Sequence, residues 1–275
     1  MKNTTHNKKR SLHRTALALC SCLLGITSVQ ADAALKIGTD LTYPPYNYMN
    51  NGKPAGFDTE FMALVAKTLN TTPQFMDTRF ANLIMGVNTS KFDVIASTLY
   101  VTPERAKQID YIPYMKTGGV LLTLKAGDFT PTQPEMLCGK KVSSIQGAAW
   151  IGKLAEVSKT VCAKQGIGPI DVREFPTSPE ASQAVLSHAV DAQFEDAAVA
   201  RTAADKSGKL AVTSEILYPV VVGLGVKKGN AEQLQQLNDA VAKVLTSPDY
   251  QSLLKQYNLT APTAEDITSA LAGTL

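Results

Sequence analysis

The run Tyr100-Val101-Thr102-Pro103-Glu104-Arg105-Ala106-Lys107 sets a charged side chain where it can hold an anion. It follows an apolar, strand-like stretch, Phe92 to Thr98. Thr102 is a good N-cap, and Pro103 suits the first helical position, where its missing N–H costs nothing. Arg105 then falls in the first turn of a helix at a strand's carboxyl end. There a planar, permanently charged fork joins backbone N–H groups that lack intrahelical partners. That combination is suited to gripping one carboxylate. The octapeptide alone is better explained by an ordinary surface arginine on a short helix, so the reading depends on the rest of the chain.

Upstream lie Gly38-Thr39-Asp40-Leu41-Thr42-Tyr43-Pro44-Pro45-Tyr46 and Gly52-Lys53-Pro54-Ala55-Gly56-Phe57-Asp58. Downstream come Leu137-Cys138-Gly139-Lys140, Ile145-Gln146-Gly147, Val190-Asp191-Ala192-Gln193-Phe194-Glu195-Asp196 and Gly223-Leu224-Gly225-Val226-Lys227-Lys228. Each motif is weak alone. In this order and at this spacing they resemble the periplasmic amino-acid-binding proteins of ATP-binding-cassette importers, the family-3 solute-binding proteins. The resemblance extends over nearly all of the chain after its first 31 residues.

The resemblance implies a set of ligand contacts. Arg105 matches the arginine that takes the ligand's carboxylate, and Asp196 the aspartate that takes its ammonium. Asp196 has a second reading as N-cap of a helix from Ala197, and the two roles are compatible. Ser97 and Thr98 match positions that supply a hydroxyl and a main-chain carbonyl near the ammonium. Tyr43 and Phe80 match the aromatic walls around the ligand's side chain, though Phe80 reads equally well as core. Asp40 either touches that side chain or orders the Thr39–Tyr43 loop as an Asx-turn.

Three positions depart from the pattern. Tyr100 stands where relatives carry a small hydroxyl residue. Ala148 and Ala149 stand where they often carry threonines, leaving only backbone N–H groups to meet a carboxylate. Trp150, the chain's only tryptophan, follows at once, and Ile145 and Glu195 flank the site. The site reads as more aromatic and less hydroxylated than usual, which leaves a modified amino acid or opine-like ligand open beside a common amino acid.

The elements that must position these residues are preceded by a targeting segment. Lys2, Lys8, Lys9, Arg10 and Arg14 form a basic start, and an uncharged, largely apolar run from Thr15 to Val29 follows. Val29-Gln30-Ala31 fits a signal cleavage rule, so residues 1–31 read as a signal peptide and the protein as periplasmic. Cleavage after Ala33 and a lipoprotein reading at Leu19-Cys20-Ser21-Cys22 are alternatives. The whole chain has 27 basic and 24 acidic residues. Without the five basic residues of the signal the balance is 22 to 24, so the apparent basicity belongs to the leader and nothing argues for nucleic acid. Two cysteines then remain, Cys138 and Cys162, and in an oxidising compartment such a pair usually bridges. A 24-residue loop predicts roughly 3 kcal/mol of stabilisation. Two buried thiols are the alternative. With only His188 left to assist, a metal site is disfavoured, and no cofactor is expected.

The alternation of strands and helices predicts an α/β protein with parallel strands. Leu35–Gly38, Gln74–Met76, Phe92–Thr98, Lys141–Ile145, Asp171–Phe175 and Asp191–Phe194 read as strands. Asp58 is expected to cap a helix to about Leu69, with Phe61, Met62, Leu64, Val65 and Leu69 on its apolar face. Further helices are expected at Ala148–Ala163, Pro179–His188 (capped at Ser178), Ala197–Lys206, Ala231–Leu245 (capped at Asn230) and from Ser247-Pro248. Thr263–Leu275 carries little signal. Gly118–Leu122 and Tyr218–Val222 read as crossings between two lobes with separate sheets. The family plan places residues 32–119 and 220–275 in the first lobe, 120–219 in the second, and the ligand between them.

This organisation predicts a monomeric binding protein that hands an amino acid or derivative to an inner-membrane permease. A periplasmic dehydratase on the same fold is the runner-up. Such an enzyme needs a placed acid or base, for which Glu195 is the one attractive candidate and has no evident partner. A ligand-presenting sensory protein would use the same site. The mature chain has no Ser-His-Asp set, zincin motif or Walker loop.

Overall fold

The computed structural model describes residues 1–4 and 34–272. The expected cleavage site and the Cys20/Cys22 alternative lie outside these residues. From Asp32 on, the chain forms one compact unit. Among the described residues no helix is long and apolar enough to cross a membrane.

Two parallel strand sets are joined by two long strands. In the first set Leu35–Thr39 lies between Pro73–Asp77 and Val94–Ile95. In the second, Lys141–Ile145 lies between Asp171–Phe175 and Ala192–Asp196. The first crossing strand, Ile109–Leu124, and the second, Leu217–Lys227, pair antiparallel with each other over most of their length. The second also pairs with Val94–Ile95. The first pairs with Ala192–Asp196 and with Leu210–Val212. The ladder therefore runs unbroken through both sets, and the expectation of separate sheets is corrected: the halves are linked by continuous strands.

The second crossing is irregular where the sequence carries its proline. The register of the second slips between Leu217 and Val220, around Tyr218, whose φ is +49°, and Pro219. A bulge of this kind turns a strand while keeping its ladder. In the first crossing, a Cβ on Gly119 would lie 2.1 Å from the Phe194 ring, so glycine is needed there for close approach.

Helix Phe57–Thr68 packs on Ala231–Leu245 and Pro248–Tyr257 beside the first strand set. Phe57, Phe61, Met62 and Val65 are fully buried, while Leu64 and Leu69 pack at the core's edge. Helices Ser178–Leu186 and Ala197–Ser207 flank the second set, over Val120, Leu122, Val185 and Leu210. Asn230 and Ser247 cap the helices predicted for them. Cys138 and Cys162 form the expected disulfide.

Several local expectations change. Gly56, not Asp58, precedes the first helix, and Asp58 is turned into the core. Thr177, not Ser178, caps its helix, through a capping box with Glu180. The stretch 92–98 pairs only at Val94–Ile95, and the helix expected over 148–163 is Trp150–Val157 followed by a π-turn, Ser158–Cys162. The weakly patterned end forms a helix, Ala264–Ala272. Ile267 and Ala270 pack there against Val101 and Val221, and Asp266 pairs with Lys116 at 2.7 Å.

Candidate functional site

Arg105 sits in the one-turn helix Pro103–Ala106, with Thr102 accepting from its N–H as expected. The side chain is only 9 % exposed. One guanidinium nitrogen donates to the Tyr100 carbonyl at 2.9 Å, and another reaches into the second half to the Gly147 carbonyl at 3.0 Å. The guanidinium carbon lies 5.3 Å from the Phe80 ring centre. Burial lowers the guanidinium's pKa, yet a guanidinium stays charged in a protein. Both of these partners are neutral acceptors, and among the described residues Arg105 makes no ion pair, the Glu104 charge acting on it only weakly.

Opposite it, the strand Ala192–Asp196 ends in two fully buried carboxylates. Asp196 Oδ2 accepts from the Tyr100 hydroxyl at 2.8 Å and from Thr117 at 2.7 Å, and Oδ1 from the Ala198 N–H at 2.9 Å. Asp196 therefore does cap the following helix, while its other oxygen faces the first half. Glu195 Oε1 accepts from Tyr43 at 2.7 Å and from the Asp196 N–H at 2.9 Å. Its Oε2 accepts from Ser178 at 2.5 Å and Gln193 at 2.7 Å. Burial raises both acids, Glu195 to about 7, against hydrogen bonds that hold the charged forms. The phenols of Tyr43 and Tyr100 are raised well above 10 by burial and by these same carboxylates.

Tyr43, Phe80, Thr98, Tyr100, Arg105, Ile145, Ala148, Ala149 and Trp150 together line a cavity of about 20 Å³. That is room for about one water. Three sequence candidates stand outside it. Asp40 binds Arg79 at 2.9 Å, the Phe80 N–H at 2.8 Å, and Thr42 through both its N–H and its hydroxyl. It makes the expected Asx-turn with Thr42 and also accepts from the backbone of Phe80. Ser97 accepts from the Asp40 N–H at 3.0 Å. Asp196 lies behind Tyr100. Thr98 lines the cavity, but its hydroxyl and N–H both donate to Asp58. The Ala148 N–H is already bonded to the Ile145 carbonyl.

Some contributors were missed in the sequence. Asp58 also accepts from Asn47 and Tyr114, both at 2.6 Å, and so ties the Thr98 turn to the first helix and the first crossing. Nothing local in the sequence marks it. Gln193 and Glu195 were legible: two polar residues at i and i+2 of a buried strand share one face. Among the described residues no cluster of His, Cys, Asp or Glu could hold a metal.

Residues 35–260 match the model of the bacterial extracellular solute-binding proteins, family 3. The chain belongs to this family. It is 27 % identical to the L-cystine-binding protein TcyJ of Escherichia coli, over 84 % of this chain and 85 % of that one. It is 28 % identical to the histidine-binding periplasmic protein of Salmonella typhimurium, over 90 % and 97 %. The structure of an ancestral arginine-binding protein bound to arginine superposes with a TM-score of 0.75 at 28 % identity, covering 82 % of this chain and 99 % of that one. The fold is thus the two-lobed α/β fold of solute-binding proteins. These relatives are named as binding proteins, in line with the expectation of binding and not catalysis.

Proposed function

We propose that this solute-binding protein captures a zwitterionic amino acid, or a derivative of one, between its lobes and delivers it to an ATP-binding-cassette permease. One observation carries the reading. A buried guanidinium held by neutral acceptors and buried carboxylates held by neutral donors are linked through Tyr100, whose carbonyl accepts from Arg105 and whose hydroxyl donates to Asp196. Burying an ion costs several kcal/mol unless an opposite charge meets it. A ligand with a carboxylate and an ammonium supplies both missing charges at once. Because the two poles belong to different lobes, that ligand also favours the closed form, which is how binding is coupled to delivery. The aromatic walls Tyr43, Phe80 and Trp150 suit a partly apolar side chain. The relatives named for cystine, histidine and arginine support an amino acid as the ligand class.

In this reading residues 32–119 and 220–275 make the first lobe and 120–219 the second. The protein works as a monomer in the periplasm after removal of residues 1–31. A thermal-shift screen of the standard amino acids, L-cystine and opine-type derivatives tests the proposal, followed by calorimetry on any hit. A ligand at 100 times its Kd adds about 2.7 kcal/mol of stability. If the folded protein responds to none of them, the amino-acid reading fails.

A further inference from the structure

Tyr100 holds a position that a small residue would leave open. Its ring lines the Arg105 cavity, while its hydroxyl ends on Asp196, which does not line that cavity. The phenol therefore covers the carboxylate from the side on which Arg105 lies. Its ring also packs edge-on against Trp150, with centres 5.6 Å apart. Beyond this pair is a second cavity of about 450 Å³, which Tyr100 also lines, with Gly119, Phe194, Tyr218 and Pro219. The ring thus divides a chamber too small for a ligand from one with ample room for the ring itself.

We propose that the Tyr100 phenol stands in for the ligand's ammonium on Asp196, and that binding swings it away toward the Tyr218 cavity. Tyr100 is then a specificity-determining residue. It admits ligands whose ammonium can displace a hydroxyl from Asp196 and lowers the affinity of all of them by the strength of its own bond. The inference rests on the amino-acid reading above. The exchange is favourable because an ammonium brings a full opposite charge to the same buried carboxylate, where the phenol brings only a dipole. Until then the closed-off form reduces apparent affinity in proportion to its population.

The test is calorimetry on wild type, Tyr100→Phe and Tyr100→Ala with the standard amino acids and L-cystine, and with the des-amino analogue of each binder. Tyr100→Phe keeps the ring and removes only the competing hydroxyl. It should tighten binding of the amino acid by on the order of ten- to a hundredfold, the worth of one hydrogen bond to a charged group. The des-amino analogue must move the same ring but leaves Asp196 without a replacement donor, so it should bind wild type much more weakly than the amino acid does. Tyr100→Ala, which also removes the ring, should bind the amino acid more tightly still. An unchanged or weaker affinity in Tyr100→Phe, or a des-amino analogue that binds wild type as tightly as the amino acid, would overturn the inference and leave the amino-acid reading standing. If wild type and both variants are folded and bind no amino acid, that reading fails and this inference with it.

Discussion

Replacing Arg105 with alanine should separate binding from stability. The guanidinium makes two hydrogen bonds to carbonyls, those of Tyr100 and Gly147. Hydrogen bonds to a charged group contribute about 1.5–3 kcal/mol each. Against that stands the cost of burying a guanidinium that no carboxylate neutralises, several kcal/mol. The two terms are of similar size, so Arg105→Ala should change unfolding free energy by no more than about 1–2 kcal/mol. Ligand binding has no such offset. Removing one partner of a buried, hydrogen-bonded charge pair costs roughly 2–5 kcal/mol, about thirtyfold to several thousandfold in affinity. Arg105→Lys should also bind poorly, since an ammonium cannot reproduce the bidentate fork or its place over Phe80. Urea unfolding and calorimetry on an identified ligand measure the two quantities. Binding within threefold of wild type in Arg105→Ala would place the carboxylate site elsewhere. A stability loss above about 3 kcal/mol would mean that the guanidinium is a structural tie.

Three further outcomes are expected. Burial raises Glu195 from its ordinary 4.5 to about 7, so the folded state holds its proton more tightly than the unfolded state. The resulting stability is full below about pH 4.5 and is lost as pH rises through about 7. Urea titrations should find wild type less stable at pH 8 than at pH 5, and Glu195→Gln should shrink the difference; an unchanged difference would clear Glu195 of the effect. Asp58→Ala strands the buried Tyr114 hydroxyl, the Asn47 amide and the Thr98 N–H, and should cost more than about 3 kcal/mol in chemical denaturation. A loss under 1 kcal/mol would mean that these donors find other acceptors. The double Cys138→Ser, Cys162→Ser variant should lose about 3 kcal/mol for its 24-residue loop, with the lobe still folded; no shift in the urea midpoint would refute the chain-entropy account.

Where local chemistry determines structure, the sequence was readable. Thr102-Pro103 starts a helix by the hydrogen bond and fixed φ that those residue types supply, and Arg105 lands in its first turn. The disulfide follows from two cysteines left in an oxidising setting, and Lys141–Ile145 and Asp171–Phe175 are short stretches carrying Val142, Ile145, Val172 and Phe175 between glycine and proline breakers. The end helix was also within reach: Thr263 and Asp266 stand at capping-box spacing and cap each other, but few apolar residues follow to show a period.

What escaped depends on residues far apart in the chain. Asp58 looks like an N-cap because it precedes an amphipathic helix. It is drawn inward because Asn47, Thr98 and Tyr114, up to 56 residues away, offer four donors that a cap position cannot match. Ser178 gives up its expected capping role to Thr177 and sends its hydroxyl to Glu195 instead. The same holds at the centre of the site. Tyr43 and Glu195 are 152 residues apart and Tyr100 and Asp196 are 96 apart, and both bonds tie early parts of the chain to the end of the strand Ala192–Asp196. A motif can say which residues face a ligand. It cannot say that two tyrosines already lie against the acids, because that depends on the closure of one lobe on the other. The motifs single out Arg105 and Asp196 but not the side chains that lie against Asp196 and Glu195, and in the proposed function those side chains decide what a ligand must displace.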